Sequence, residues 1–290
     1  MVFRGDLYIL KAEVRMVIAK TIDEFKKARN ELKGSVGFVP TMGALHKGHL
    51  SLIQRAKEEN DHVVVSIFVN PTQFLEGEDL DKYPKKEVAD KEICKLAGVD
   101  ILFMPTVDAI YGNDELKIMA PKVRGYILDG HNRPGHFDGM LQIVMKLLNL
   151  VNSDNAYFGK KDAQQLALIE QMAKNYFLRS NIVPCDIVRD YDGLALSSRN
   201  IYLTKEERAN ALSIPSALQK ASQMIIGGNL DANSIKQSMI DILEKNVSSI
   251  EYVEIANRDL KNIDSVELKN TIILVAAKVG TTRLIDNLWV

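Results

Sequence analysis

The chain has 290 residues, 46% apolar and 26% charged, with a formal net charge of −1. That is the composition of a globular protein with room for two domains, and it supplies no basic field for nucleic acid. Gln142, Lys146 and Lys278 interrupt the best candidates for a membrane span. Cys94 and Cys185 cannot build a disulfide framework, and Arg4, Asp6, Lys11 and Glu13 break up any signal-peptide core, so the expected location is the cytoplasm.

Met16-Val17-Ile18-Ala19-Lys20 reads like a natural protein start and an edge strand, so residues 1–15 are expected to be a functionless extension, with a misassigned start or a strand padding a dimer as the alternatives. Thr21-Ile22-Asp23-Glu24 is a capping box for a helix to about Leu32. A strand–helix alternation then predicts a parallel sheet covered on both faces. Its expected pieces are strand Val36–Pro40, helix Gly48–Glu59, strand His62–Val69, helix Tyr83–Ala97 and strand Asp100–Met104. Helix Asp138–Val151, strand Asn155–Phe158, helix Asp162–Phe177 and strand Asn181–Val188 continue it.

Near residues 187–190 the texture changes. Thr204-Lys205-Glu206-Glu207 opens a helix to about Ile226, Gly227-Gly228 ends it, and a helix over Asp231–Asn246 precedes strands at Tyr252–Asn257 and Thr271–Val279. The expected fold is α/β: a Rossmann-like parallel sheet over 16–187, followed by a smaller α+β cover domain over 188–290.

Parallel sheets bind ligands beyond the carboxyl ends of their strands, and the chemistry-bearing segments fall there. After the first strand of the alternation comes Thr41-Met42-Gly43-Ala44-Leu45-His46-Lys47-Gly48-His49, with two imidazoles three residues apart on the first turn of a helix. A helix N-terminus favours an anion such as phosphate, and the glycines let it approach the backbone. A lone histidine is more often a cap or a core residue; two at helical spacing in such a turn favour function. Zinc would need a third ligand. His136 and Cys185 are available, but neither stands at a zinc-motif spacing.

The remaining segments are weak singly. Asn70-Pro71-Thr72-Gln73 offers amides suited to a ligand with carboxylate and hydroxyl groups. Gly159-Lys160-Lys161-Asp162, with Gln164 and Gln165, joins a strand to a helix and fits either a phosphate contact or a solvated lysine pair with a cap. Ser197-Ser198-Arg199 has the donors of a phosphate clamp. The loop Asp129–Phe137, with Arg133 and His136, reads equally as a lid or a surface loop.

Together and in order, these segments resemble the pantoate–β-alanine ligase (pantothenate synthetase) family of the nucleotidyltransferase superfamily. The resemblance is carried by Gly37–His49, Ser66–Phe74, Asp79–Pro84, Arg133–Gly139, Ala156–Gln165 and Asp192–Asn200, and runs from about Met16 to the end. It implies adenylation of pantoate by ATP, then displacement of AMP by β-alanine, with Mg²⁺ and a homodimer. It implies an ATP site at Met42, Gly43, Ala44, Leu45, His46, Lys47, Gly48, His49, Gly159, Lys160, Lys161, Asp162, Val188, Leu196, Ser197, Ser198 and Arg199. His49 matches the family's proton donor, with His46, Lys161 and Arg199 as further catalytic candidates. Gln73, Gln165, Asn70 and Arg133 are pantoate candidates, Gln73 also a β-alanine candidate, and Asp90 a candidate metal ligand. The histidines, Lys161, Ser197, Ser198 and Arg199 are expected to bring donors and positive charge to the α-phosphate. Lys160 departs from the family, which usually has Glu there, and Lys47 stands where Glu is common.

Another nucleotidyltransferase with a different acceptor is the first rival; Asn70, Gln73 and Gln165 argue against it. An aminoacyl-tRNA synthetase fits less well, with near-zero charge and no anticodon-binding domain. A silent nucleotide-binding homologue would be expected to lack His49, Lys161 or Arg199, and all three are present.

Overall fold

The computed structural model describes residues 16–290; the extension over 1–15 lies outside the described residues. In the first half of the chain β1 (Val17–Ala19), α1 (Ile22–Glu31), β2 (Val36–Thr41), α2 (Lys47–Glu59), β3 (His62–Ile67), α3 (Glu87–Leu96) and β4 (Ile101–Phe103) alternate. Short helices α4 (Val107–Ile110) and α5 (Asp129–Asn132) precede α6 (His136–Val151), β5 (Asn155–Gly159), α7 (Ala163–Asn175) and β6 (Asn181–Cys185). The rest of the chain forms α8 (Lys205–Ala211), α9 (Ser213–Ile226), α10 (Ala232–Leu243), β7 (Ser249–Asn257), β8 (Thr271–Val279) and β9 (Thr282–Trp289).

The first six strands form one parallel sheet in the order β1-β4-β3-β2-β5-β6. Strand alternation sends Val36, Phe38 and Val64 to one face, where they pack with Phe25 of α1, Met140 of α6 and Leu166 of α7. Val39, Val63 and Val65 go to the other, against Ile53 of α2 and Cys94 of α3. β1 takes the predicted edge, and the Thr21–Glu24 capping box forms as expected. From β2 the chain winds one way through β3 and β4, and returns to β2's other side with β5 and β6. The carboxyl end of β2 is therefore the topological switch point, where such sheets open a crevice.

The second sheet is antiparallel, β7-β8-β9. One face packs Val253, Ile273 and Val275 against Ala217 of α9 and Ile235 of α10. The other sets Ala256, Ile272 and Leu274 against Ala163 and Ala167, so small residues on α7 let the two sheet units approach closely.

Several local expectations change. The helix predicted over Thr204–Ile226 is two helices broken at Leu212, because Pro215 in the first turn of α9 cannot donate to the preceding turn. α3 begins at Glu87 rather than Tyr83, leaving Tyr83-Pro84 in the irregular approach. α6 starts at His136, entered through Gly135 at φ +90°, and the loop before it contains α5. β9 is a strand outside the expected elements. Among the described residues, no helix is long and apolar enough to cross a membrane.

Candidate active site

At the switch point, β2 ends in a tight turn with Gly43 at φ +83° and Ala44 at φ +50°. A left-handed alanine is uncommon and needs support from its surroundings. Asp90 of α3 supplies it: buried at 2% exposure, it accepts hydrogen bonds from the N–H of Ala44 (2.9 Å) and of Leu45 (2.8 Å). Thr41 Oγ1 tightens the turn further by accepting from Gly43 N–H and donating to the Ser66 carbonyl.

The chain then enters α2 through a capping arrangement built from imidazoles. His46 Nδ1 accepts from Gly48 N–H (3.1 Å), and His49 Nδ1 accepts from His46 N–H (3.4 Å). The rings meet at a tilt of 36°, with 4.1 Å between centroids. Burial, with Lys161 nearby, pushes His46 down to about 4; burial and the neighbouring His46 push His49 down to about 3. Both are therefore neutral near pH 7, and with Nδ1 accepting, the proton sits on Nε2. This corrects the expectation that they bring positive charge. They bring two N–H donors.

Both rings line a cavity of about 240 Å³. Across from them the β5–α7 turn contributes Gly159, Lys161 and Asp162, α7 adds Gln165, and the chain after β6 adds Val188 and Leu196–Arg199. Met42, Gly48, Asn70 and Gln73 complete the predicted residues in this lining. Lys161, Asp162, Gln165, Ser197 and Arg199 also line an adjoining cavity of about 740 Å³, so the two spaces share a wall of polar groups.

Other predicted residues stand elsewhere. Gly43, Ala44 and Leu45 are the buried backbone of the turn, and Lys47 is exposed. Lys160 pairs with Asp186 at 2.6 Å and lies over the Trp289 ring. Arg133 lines only the larger cavity, its guanidinium held by Glu78 at 2.6 Å with a further contact to the Gln73 carbonyl. From the wall of that cavity it braces the Gln73 turn. Asn70 is also turned inward: its Nδ2 donates to Gln73 Oε1 and to the Gly139 carbonyl, while Oδ1 accepts from Tyr111 and Thr72. It orients Gln73. Asp90 is committed to the turn, and no group of three His, Cys, Asp or Glu among the described residues is placed to hold a metal. The zinc alternative fails on the same ground.

A sequence model described as pantoate-beta-alanine ligase matches residues 17–289. The chain belongs to the pantoate–β-alanine ligase family. It is 56% identical to the pantothenate synthetase of Sulfurimonas denitrificans over 92% of this chain and 97% of the relative. It is 53% identical to that of Aliarcobacter butzleri over 94% of this chain and all of the relative. Among solved structures it is similar to pantothenate synthetase from Thermus thermophilus, with TM-score 0.89, 36% identity, and coverage of 94% of this chain and 99% of that one. It is also similar to the Francisella tularensis ligase complexed with beta-gamma ATP and beta-alanine, with TM-score 0.82, 38% identity, and coverage of 95% and 98%. As a pantoate–β-alanine ligase, the protein is an enzyme that joins pantoate to β-alanine using ATP.

The candidate site also contains residues whose roles the sequence did not disclose. Asp79 grips Arg199 through Nε and Nη2, both at 2.9 Å, and the Tyr83 hydroxyl meets Ser198 Oγ at 3.1 Å. His136, which burial and Arg133 push down to about 4, donates from Nδ1 to the Gln73 carbonyl at 2.7 Å. Gly139 is where α6 meets the 3-10 turn Pro71–Gln73: a Cβ there would overlap the Thr72 carbonyl. Tyr83 lies in the Asp79–Pro84 segment, where the Tyr-Pro pair is the one sequence signal of a fixed turn.

Proposed function

We propose that this ligase adenylates pantoate against the turn after β2 and then hands the acyl group to β-alanine in the same cleft. The observation that carries this reading is the convergence on one cavity of neutral His46 and His49, Lys161, and Ser197–Arg199. Gln73 and Gln165 stand in the same lining.

A carboxylate attacking a polyanion needs the charge around phosphorus neutralised and the attack aligned. The two Nε2–H groups donate to phosphate oxygens at the positive end of α2. Lys161 and Arg199 bring cationic charge from the opposite side, with the hydroxyls of Ser197 and Ser198 beside them. The Gln165 side chain forms no hydrogen bond among the described residues, so its amide is available to pantoate's oxygens. Gln73, braced by Asn70, turns its Nε2 toward Met42 and can exchange that sulfur for a carboxylate.

In the first step a carboxylate oxygen of pantoate bonds to Pα while the bond from Pα to pyrophosphate's oxygen breaks. His49 stabilises the charge by hydrogen bonding, and no proton need transfer. In the second step the β-alanine amine bonds to the acyl carbon, AMP leaves with the former carboxylate oxygen, and the nitrogen sheds a proton. The second sheet unit, from about residue 188, acts as the cover that keeps water from the adenylate.

The described residues do not build a cage for a resident Mg²⁺. The cation implied by the family enters on ATP's phosphates as part of the substrate. The same reading puts the enzyme in the cytoplasm as a homodimer. Exposed Leu116, Met119 and Val123, clustered in one segment, support self-association, and light scattering tests it.

The deciding assay is ATP–pyrophosphate exchange with pantoate present and β-alanine absent. Pantoate-dependent exchange is expected; its absence in folded protein overturns the adenylation order. His49→Ala is expected to slow exchange about 100-fold or more, the scale for losing one donor to transition-state charge.

A further inference from the structure

β9 carries two consecutive polar residues, Asp286 and Asn287, each only 2% exposed. Asp286 takes Arg189 in a two-pronged ion pair at 2.6 and 2.9 Å. Asn287 reaches the other way, into the parallel-sheet unit. Its Nδ2 donates to the Lys160 carbonyl at 2.9 Å and to the Lys161 carbonyl at 2.7 Å. A primary amide nitrogen has two hydrogens, and both are committed to this turn. Its Oδ1 has no partner among the described residues. The turn is held from another side by Lys160 N–H, which donates to the Cys185 carbonyl at 2.8 Å.

Two bonds from one planar group to successive carbonyls fix the peptide plane between them. That plane sets the direction in which the Lys161 side chain leaves the backbone. A lysine is a point charge on a flexible four-carbon stem, so its backbone exit is what a protein can best control. Lys161 lines both cavities of the cleft, whereas Lys160, one residue earlier, is drawn off to Asp186.

We infer that Asn287 is a positioning residue for adenylation, aiming Lys161 at the phosphates by clamping the carbonyls of Lys160 and Lys161. The clamp belongs to the antiparallel sheet and the lysine to the parallel-sheet unit. Docking of one unit on the other thereby becomes a condition for a correctly aimed cation. The inference rests on the reading of Lys161 as a phosphate ligand.

A double-mutant cycle in the full-length enzyme tests it. Asn287→Asp keeps the volume but replaces both donors with an acceptor. Asn287→Ala removes the donors without adding charge, and serves if the first variant does not fold. Each is measured by pantoate-dependent ATP–pyrophosphate exchange, alone and combined with Lys161→Ala, with circular dichroism confirming the fold. Each single Asn287 change is expected to lower kcat for exchange about 10- to 100-fold, the scale for misplacing a catalytic group by about an ångström. In the Lys161→Ala background the same change is expected to cost less than about twofold, because the group it aims is gone. Unchanged exchange in the single Asn287 variants, or losses that multiply fully in the double variant, overturn the inference. If Lys161→Ala alone leaves exchange intact, the phosphate reading of Lys161 has failed instead.

Discussion

Arg199 and Asp79 form a two-pronged ion pair, Nε to Oδ2 and Nη2 to Oδ1, that leaves Nη1 without a bonded partner among the described residues. The guanidinium is thereby held against Tyr83, 5.9 Å from the ring centre, with one edge still available to an oxyanion. Asp79→Ala frees the side chain to wander and is expected to raise the KM for ATP about tenfold, the scale of a hydrogen bond to a charged group. Exchange kinetics at varied ATP check this, and an unchanged KM would show that Arg199 needs no such orientation.

Asp90 is the support beneath the left-handed Ala44. Asp90→Ala strands two buried backbone N–H groups and should destabilise the fold by about 3 kcal/mol, measured by urea unfolding. Asp90→Asn keeps one acceptor and should lose less. Both should slow exchange, since the turn that presents His46 and His49 relaxes. Full activity in folded Asp90→Ala would separate the turn from the chemistry.

Half-buried His46 and His49 and buried His136 set an acid limit on stability. His46 and His136 sit at about 4 and His49 at about 3, all lowered chiefly by burial. In the unfolded chain a histidine titrates near about 6.5. Below that pH the unfolded state takes up protons that the folded state refuses, so stability is full above it and falls as pH drops toward 4. Urea midpoints at pH 7.5, 6 and 5 should decline in that order, and His136→Asn should flatten the trend. A pH-independent midpoint would contradict the neutral assignment.

Gly139 sets the distance between α6 and the turn that carries Gln73. A Cβ there would stand 2.7 Å from the Gln73 backbone nitrogen, with the Thr72 carbonyl closer still. Backbone cannot swing aside as a side chain would. Gly139→Ala should cost about 1–3 kcal/mol in stability through overpacking. It should also raise the KM for pantoate more than that for ATP, because Gln73 is what moves. Equal effects on both substrates would remove Gln73 from the pantoate pocket.

The parallel sheet was legible because its strands are short apolar runs bounded by turn residues, and the His46–His49 turn because its residue types are rare in that combination. Partnership was not legible. Asn70, Arg133 and Asp90 have the chemistry of ligands, and only the folded chain shows that Gly139, Glu78 and the Ala44–Leu45 backbone already occupy them. β9 is obscured because Arg283, Asp286 and Asn287 interrupt its apolar pattern, and all three are held by partners elsewhere in the chain. In hindsight, an Asp-Asn pair inside a run of Leu and Ile was the signal. It placed poor strand formers where only buried partners could hold them.

The chain has a single tryptophan, Trp289. Its ring lies 4.3 Å from the Arg258 guanidinium and 5.7 Å from Lys160 Nζ, two residues beyond the clamp on the Lys161 turn. The protein thus carries one native fluorophore at the seam between its two sheets, free of any competing indole signal. Its emission offers an optical record of that seam during turnover, with no label attached.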